Sequence, residues 1–278
     1  MVPVTSRPLR LMRCAVIGDP VEHSLSPAIH RAGYRINGLD WSYEAIRVAP
    51  GTLPKFIDSL TVPGWVGLSV TAPHKKDLLG LGEPDSISLM VQGGNTILLG
   101  EEPRVYNTDV PGFLKAWRSR GLEGISTAVI VGSGATARSL LVALSGLSVR
   151  EVTVLARVPS RAAALCELGI ALGIDITAQP MDASFRDVDL LASTIPTSAT
   201  EKWAGVWAER AAVMFDAGYD PWPTPLASAA DPDQPVITGL ELLAGQAVDQ
   251  FRLLTKCELS FQEALSAATV ELEARRCS

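Results

Sequence analysis

The sequence predicts an α/β protein of two α/β domains, with the last helices of the chain returning to the first domain. Three observations lead there. Apolar, β-branched runs alternate with helical stretches from Met12 to Thr238, the order expected of stacked βαβ units. A glycine-spaced loop, Gly132-Ser133-Gly134-Ala135-Thr136-Ala137, opens a helix near mid-chain. Two helical stretches, Gly239 to Phe251 and Ser260 to Arg276, follow the last strand, and the second has no strand to return to. A chain of 278 residues suits about two domains, and 47% hydrophobic against 19% charged residues supports substantial cores.

The first strand runs from Met12 to Ile17 and ends in Gly18-Asp19-Pro20. Ser24-Leu25-Ser26-Pro27 then opens a helix towards Asn37-Gly38, because a hydroxyl followed by proline is a helix start. Ser26 is either a cap or, with Ser24, one of two hydroxyls able to hold a carboxylate; its position admits both roles. Trp41 to Val48 alternates as a strand, Pro50 to Leu60 reads as a helix and Gly64 to Val70 as a strand. That strand runs into Thr71-Ala72-Pro73-His74-Lys75-Lys76. Ligands of open α/β sheets bind beyond the carboxyl ends of strands, where Thr71 and Lys75 fall. The ordinary fate of a lysine after proline is solvated surface, and at most one of the adjacent pair need be functional. Gly93 to Leu98 and Arg104 to Asp109 read as short strands. Asp109 begins a helix over Val110 to Arg120, which gives it a capping role and makes that helix the linker between domains.

Thr127 to Val131 is a strand that meets the glycine loop. Gly132 makes the turn, Gly134 lets the backbone approach a phosphate, and Ala137 allows close helix packing. The spacing G-x-G-x-x-A is that of a loop seating a pyrophosphate on the amides of a helix N-terminus. A second strand, Val152 to Ala156, follows at a βαβ distance, and its end selects the cofactor. NAD asks for a carboxylate there to meet the ribose hydroxyls. This chain has Ala156, then Arg157, with Arg161 one turn on, while Glu151 sits at the far end of the strand. Two guanidiniums can grip a 2′-phosphate through forked, charge-assisted bonds, which points to NADP. The alternative is a pair of solvated arginines at a helix start, where cations oppose the helix dipole.

A helix continues from Arg161 to about Gly173, and strands follow at Ile174 to Ala178, Val188 to Ser193, Ala211 to Asp216 and Pro235 to Thr238. The loop from Gly218 to Leu226 is too proline-rich for a regular element. On the helix from Gly239, Leu240, Leu243 and Ala247 fall at core spacing, with Gln246 among them.

A net charge of -6, with no basic run longer than a pair, argues against nucleic-acid binding, so an anionic ligand must be held by local donors. Cys14, Cys166, Cys257 and Cys277 are scattered without C-x-x-C spacing, which fits reduced thiols better than disulfides. His23, His30 and His74 form no H-x-x-x-H pair, so no metal site is expected. Arg7, Arg10 and Arg13 are not followed by an apolar signal core, and no apolar run approaches the ~20 residues of a membrane span. The expectation is a cytoplasmic protein with no membrane partner.

Taken in order, these segments resemble the shikimate dehydrogenase family from about Cys14 to Ala268. Gly18-Asp19-Pro20-Val21-Glu22-His23-Ser24-Leu25-Ser26-Pro27 is similar to the family's G-N-P-x-x-H-S-x-S-P, and Ser69 to Lys75 to its N-V-T-x-P-x-K. Gly94-Asn95-Thr96 and Asn107-Thr108-Asp109 match two N-T segments. Asp216 to Leu226 is similar to D-x-x-Y-x-P-x-x-T-x-L, and Gly239 to Ala247 to G-x-x-x-L-x-x-Q-A.

The resemblance implies a substrate-binding, catalytic domain over 1–110, completed by helices in 239–278, and a Rossmann NADP-binding domain over 111–238. It implies an oxidoreductase that reversibly reduces 3-dehydroshikimate to shikimate with NADPH, on the route to chorismate and the aromatic amino acids. Lys75 and Asp109 would be the catalytic pair. Hydride attack on a ketone leaves a developing alkoxide, to which an ammonium can supply both charge and a proton, with Asp109 orienting it. Ser24 and Ser26, with Tyr219, would hold the substrate carboxylate. Thr71, Lys75, Asn95, Asp109 and Gln246 would hold the ring hydroxyls and the reacting oxygen. The cofactor would rest on Gly132, Ser133, Gly134, Ala135, Thr136 and Ala137, and on Ala156, Arg157 and Arg161. Thr194, Ile195 and Pro196, beside the nicotinamide, and Gly239 would complete that site.

Asp19 and Ser69 stand where the family has asparagine, and Val105 where glycine is common. Ala156-Arg157-Val158 replaces its N-R-T, and Ser193-Thr194-Ile195-Pro196 its N-A-T-P. The same motifs fit a quinate or quinate/shikimate dehydrogenase and an aminoshikimate-type paralogue. A non-catalytic NADP-binding sensor would need neither Lys75 nor Asp109. A monomer or a homodimer is compatible with the sequence.

Overall fold

A computed structural model describes residues 11–277. Arg7 and Arg10, part of the reading of the N-terminus, lie outside the described residues. Strand β1 (Met12–Gly18) is buried from Cys14 onward, as a strand covered on both faces must be. Helix α1 (Ser26–Ile36) crosses from it to β2 (Trp41–Arg47), and α2 (Leu53–Asp58) leads on to β3 (Trp65–Val70). β2 and β3 flank β1, both parallel to it.

The sheet is extended by β4 (Glu83–Pro84), α3 (Ser86–Val91), β5 (Thr96–Leu98) and β6 (Arg104–Tyr106), in the strand order β2-β1-β3-β5-β6-β4. β5 runs antiparallel to β3 and β6. Sequence periodicity reveals neither β4 nor α3. Each is too short to show a repeat, and α3 depends on a cap in which Asp85 Oδ1 accepts from Ser88 N at 2.7 Å.

Helix α4 (Asp109–Ser119) enters the second sheet, whose strands are β7 (Thr127–Val131), β8 (Glu151–Ala156), β9 (Asp175–Pro180), β10 (Val188–Ser193), β11 (Ala211–Asp216) and β12 (Val236–Thr238). All six are parallel, in the order β12-β11-β10-β7-β8-β9. Read from β9, this is the doubly wound dinucleotide-binding order, and the chain reverses direction between β7 and β10. The crevice at that switch lies beyond Val131 and Ser193, where Gly132 and Thr194 begin.

Helices α5 (Ala135–Ser145), α6 (Ala163–Ala171), α7 (Ala204–Ala208) and α8 (Pro225–Ser228) complete this half. Arg161 lies in a 3-10 turn, Pro159–Ala162, rather than at the start of α6. The proline-rich loop is irregular only as far as Thr224. That side chain accepts from Ala227 N at 3.1 Å and, with Pro225 next, starts α8, where no regular element was expected.

Helices α9 (Gly239–Thr255) and α10 (Phe261–Arg276) each open with a capping box, Thr238 with Glu241 and Ser260 with Glu263. Both return to the first sheet: Phe251, Ala264, Ala268 and Leu272 share one core with Val16, Leu25 and Ile29. The buried stripe of α9 is Ala244, Ala247, Phe251 and Leu254, whereas Leu240 and Leu243 are only half-buried. On another face, at Gly245 and Gln246, α9 lies backbone to backbone against α4 at Gly112. A Cβ on Gly112 would come 2.5 Å from Gln246 N, and one on Gly245 would come 2.3 Å from Gly112 O. Lys115–Asp249 and Arg120–Glu241 ion pairs, each 2.6 Å, edge that seam. The helix that starts at Asp109 is thereby fixed against the helix that carries Gln246.

Candidate active site

The carboxyl ends of β1 and β3 open into a cavity of about 310 Å³ whose walls also include Thr136, Ala217 and Tyr219 from the second half. All eight residues expected at the substrate line it: Ser24, Ser26, Thr71 and Lys75, together with Asn95, Asp109, Tyr219 and Gln246. Lys75 Nζ donates to Asp109 Oδ2 at 2.6 Å, and Asn95 Nδ2 donates to Oδ1 at 3.0 Å. Asn95 Nδ2 also lies 3.3 Å from Gln246 Oε1, while Asn95 Oδ1 accepts from Thr108 N at 2.8 Å. The carboxylate is buried, and each of its oxygens has a donor.

Two capping roles admitted by the sequence are not taken. Leu25 is the N-cap of α1 and Ser26 its first residue, with no side-chain capping bond, so the Ser26 hydroxyl is left facing the cavity. Thr108 is the N-cap of α4, and the Asp109 carboxylate is spent on Lys75 and Asn95. Asp216 at the end of β11 turns the chain towards Tyr219: its Oδ1 accepts from Gly218 N at 3.0 Å. Burial pushes the Asp216 carboxyl and the Tyr219 phenol above their ordinary ranges.

Ser69 and Gln250 also line the cavity and were not singled out for it. Tyr43 OH donates to Ser69 Oγ at 2.6 Å, Ser69 Oγ to Gln250 Oε1 at 2.9 Å, and Gln250 Nε2 to Asn95 O at 3.1 Å. This buried chain supports the strand end that presents Asn95. Helical spacing offered a signal for Gln250, which lies one turn beyond Gln246 on the same face.

A second cleft, of about 860 Å³, runs over the ends of β7 and β8. Of the residues expected at the cofactor, Gly132, Ser133, Ala156, Arg157 and Arg161 line it, as do Ile195 and Pro196. Gly134 and Ala135 line a smaller cavity that reaches Lys75. Thr136 and Gly239 lie on the first cavity instead, because α5 and α9 both start at the seam between the two halves. Ala137 is buried beneath the loop, and Thr194 Oγ1 donates to Val131 O at 2.9 Å. Met181 and Trp203, on the cleft wall, carry no sequence signal.

The chain's own groups fit a dinucleotide phosphate. Gly134 is the N-cap of α5 and makes no side-chain cap, and among the described residues nothing lies within 4 Å of where its Cβ would be, so a phosphate can approach the backbone at this helix N-terminus. Gly132 sits at φ +104, and a Cβ there would meet Thr194 Oγ1 at 2.6 Å. Arg157 and Arg161 are exposed, and neither is in an ion pair among the described residues. Also among those residues, there is no group of three or more His, Cys, Asp or Glu that could hold a metal, and no helix is long and apolar enough to cross a membrane.

Residues 16–97 match the family model described as the shikimate dehydrogenase substrate binding domain. The shikimate dehydrogenase (NADP(+)) of Natronomonas pharaonis is 34% identical over 256 residues, covering 86% of this chain and 92% of the relative. The chain belongs to the shikimate dehydrogenase family. The crystal structure of Mycobacterium tuberculosis shikimate dehydrogenase superposes with a TM-score of 0.86 at 34% identity, over 93% of this chain and 99% of that one. The Thermus thermophilus shikimate 5-dehydrogenase, solved in complex with NADP(H) and shikimate, gives 0.81 at 29% identity over 94% and 99%.

Two departures from the shikimate dehydrogenase pattern have local partners. Asp19 Oδ1 accepts from Arg47 Nε at 2.8 Å, so an ion pair occupies the place of an asparagine. Val105 is fully buried and packs where a Cβ on Gly94 would meet its Cγ1 at 2.3 Å, so the bulk absent from one position is present at the other.

Proposed function

We propose that this chain is an NADP-dependent shikimate dehydrogenase, an oxidoreductase that interconverts 3-dehydroshikimate and shikimate on the route to chorismate and the aromatic amino acids. The observation that carries this is the Lys75–Asp109 pair, 2.6 Å apart, in a polar cavity that adjoins a dinucleotide cleft. Residues 1–110 with 239–278 form the substrate-binding domain, which Tyr219 completes from the cofactor-binding domain of 111–238. Scattered free thiols agree with a cytoplasmic setting, and the active unit is a monomer or homodimer.

NADPH, when bound on the α5 N-terminus, Arg157 and Arg161, supplies the hydride. The remaining work falls to this chain's side chains. Ser24, Ser26 and Tyr219 hold the substrate carboxylate, and Thr71, Asn95 and Gln246 orient the ring hydroxyls. Lys75 Nζ stabilises the alkoxide as it forms and passes a proton to that oxygen. In the reverse direction the same nitrogen takes the hydroxyl proton. Asp109 has both oxygens engaged by Lys75 and Asn95, so it orients the amine rather than receiving the proton. The Ser24 and Ser26 hydroxyls suit a carboxylate because one donates to each oxygen without bringing a counter-charge.

The test is turnover at the nicotinamide absorbance band, pairing NADP+ and NAD+ each with shikimate and with quinate. NADP+ with shikimate is expected to give the highest kcat/KM. Absence of turnover, or a preference for quinate or NAD+, contradicts the assignment.

A further inference from the structure

The last turn of α10 ends at the rim of the substrate cavity. Arg275 spreads its guanidinium over three oxygens: Nε donates to Glu271 Oε1 at 2.8 Å, Nη1 to His23 O at 3.0 Å and Nη2 to Ser24 O at 3.2 Å. The next residue reaches a different loop. Arg276 Nη2 lies 3.4 Å from Tyr219 O and 3.5 Å from Asp220 Oδ1. His23 and Ser24 lie between β1 and α1, whereas Tyr219 and Asp220 follow β11. Two adjacent arginines at one helix end therefore tie a loop of each sheet, and both loops border the cavity.

We infer that Arg275 and Arg276 are positioning residues that hold Ser24 and Tyr219 in place for the carboxylate of the substrate. This rests on the function proposed above. Cations in the last turn of a helix are ordinarily explained by its dipole. The dipole does not account for a guanidinium fixed by Glu271 and forked across two consecutive carbonyls. Such a fork needs the planar geometry of arginine. Loops ordered before the ligand arrives lose less freedom on binding, so the ties act on affinity. The Arg275 charge also opposes the burial-driven rise of the Tyr219 phenol.

The test is the dissociation constant for shikimate, measured by titration calorimetry on the full chain, together with kcat and the melting temperature. Arg275→Ala is expected to weaken shikimate roughly tenfold, the scale of one lost charge-assisted hydrogen bond. Arg275→Lys is expected to do the same, since an ammonium held by Glu271 cannot span both carbonyls, and it carries the test if the alanine variant fails to fold. NADP+ affinity and kcat at saturation stay within about twofold of wild type. In a Ser24→Ala background, Arg275→Ala adds less than about twofold, because it acts through Ser24. Arg276→Ala paired with Tyr219→Phe gives the same pattern.

Unchanged shikimate affinity in both Arg275 variants overturns the inference. Tenfold effects that simply multiply in the double variant, or a parallel loss of both ligands with a lower melting temperature, overturn it as well. A wild-type chain that binds shikimate without turning it over counts against the proposed function alone and leaves the binding comparison readable.

Discussion

Lys75 Nζ and Asp109 Oδ2 lie 2.6 Å apart, joining the loop after β3 to the first turn of α4. Asn95 Nδ2 donates to the other carboxylate oxygen at 3.0 Å, so both oxygens are used and the amine is held at one place on the cavity wall. The carboxylate comes from the helix that links the two sheets. The linker thus contributes to the site as well as to the seam.

Asp109→Asn tests that division of labour. An amide has one acceptor oxygen and one NH2 group that only donates, so either Lys75 or Asn95 is left facing an N–H group in a buried site. The expected loss is roughly 10²-fold in kcat/KM, the scale of an unsatisfied buried group beside a charge. Near-normal steady-state kinetics would remove Asp109 from the mechanism.

Cofactor choice is expected to follow the two free guanidiniums. Arg157→Ala and Arg161→Ala should each raise KM for NADP+ by roughly tenfold while leaving KM for NAD+ nearly unchanged, because only NADP+ carries the 2′-phosphate. Equal effects on both cofactors would place these side chains elsewhere on the nucleotide.

His30 predicts a component of the pH dependence of stability. It is fully buried, stacked on Tyr43 with ring centroids 4.1 Å apart, and among the described residues no group meets hydrogen-bond geometry with either ring nitrogen, Gln250 exerting only a weak opposing pull on its pKa. Burial pushes it from 6.5 down to about 3. Between those values the unfolded chain holds a proton that the folded chain lacks. The stability is therefore complete above the unfolded value and is lost as pH falls towards the folded one. The slope approaches ~1.4 kcal/mol per pH unit. Denaturant unfolding at about pH 7.5 and about pH 5 should show a smaller acid loss for His30→Leu than for wild type. Equal losses would contradict a neutral buried imidazole.

Gly112→Ala reverses a familiar sign. In an exposed helix interior the change stabilises by ~1 kcal/mol. Here the new Cβ would come 2.5 Å from Gln246 N, so α4 and α9 must separate, at a cost of ~1–3 kcal/mol. Unfolding midpoints should fall, and shikimate affinity with them, because Gln246 and Asp109 ride on those helices. A stabilised variant would show that the seam yields.

The fold was legible where it is long and periodic. The parallel order of β7 to β12 follows from alternating apolar runs and the loop at Gly132, and the return of α10 follows from a helix with no strand after it. The pocket residues were legible only as motifs. Nothing in the spacing of Lys75, Asn95 and Asp109 says that three separate turns converge, because convergence is set by strand pairing and by the α4–α9 contact. Ser26 and Asp109 were ambiguous for a physical reason: each sits within one residue of a helix start, where the same side chains serve as caps. Short elements such as α3 and α7 carry too few residues for a period. Met181, Trp203 and the Arg275 fork depend on tertiary placement alone.

Lys75→Ala offers the most direct measurement, read as kcat with saturating shikimate and NADP+ beside the dissociation constant for shikimate. The expected result is a fall in kcat of roughly 10²–10⁴-fold with shikimate affinity changed only a few-fold, since the amine is needed most as the alkoxide forms. A variant that turns over at close to the wild-type rate would contradict a mechanism in which Lys75 handles the proton.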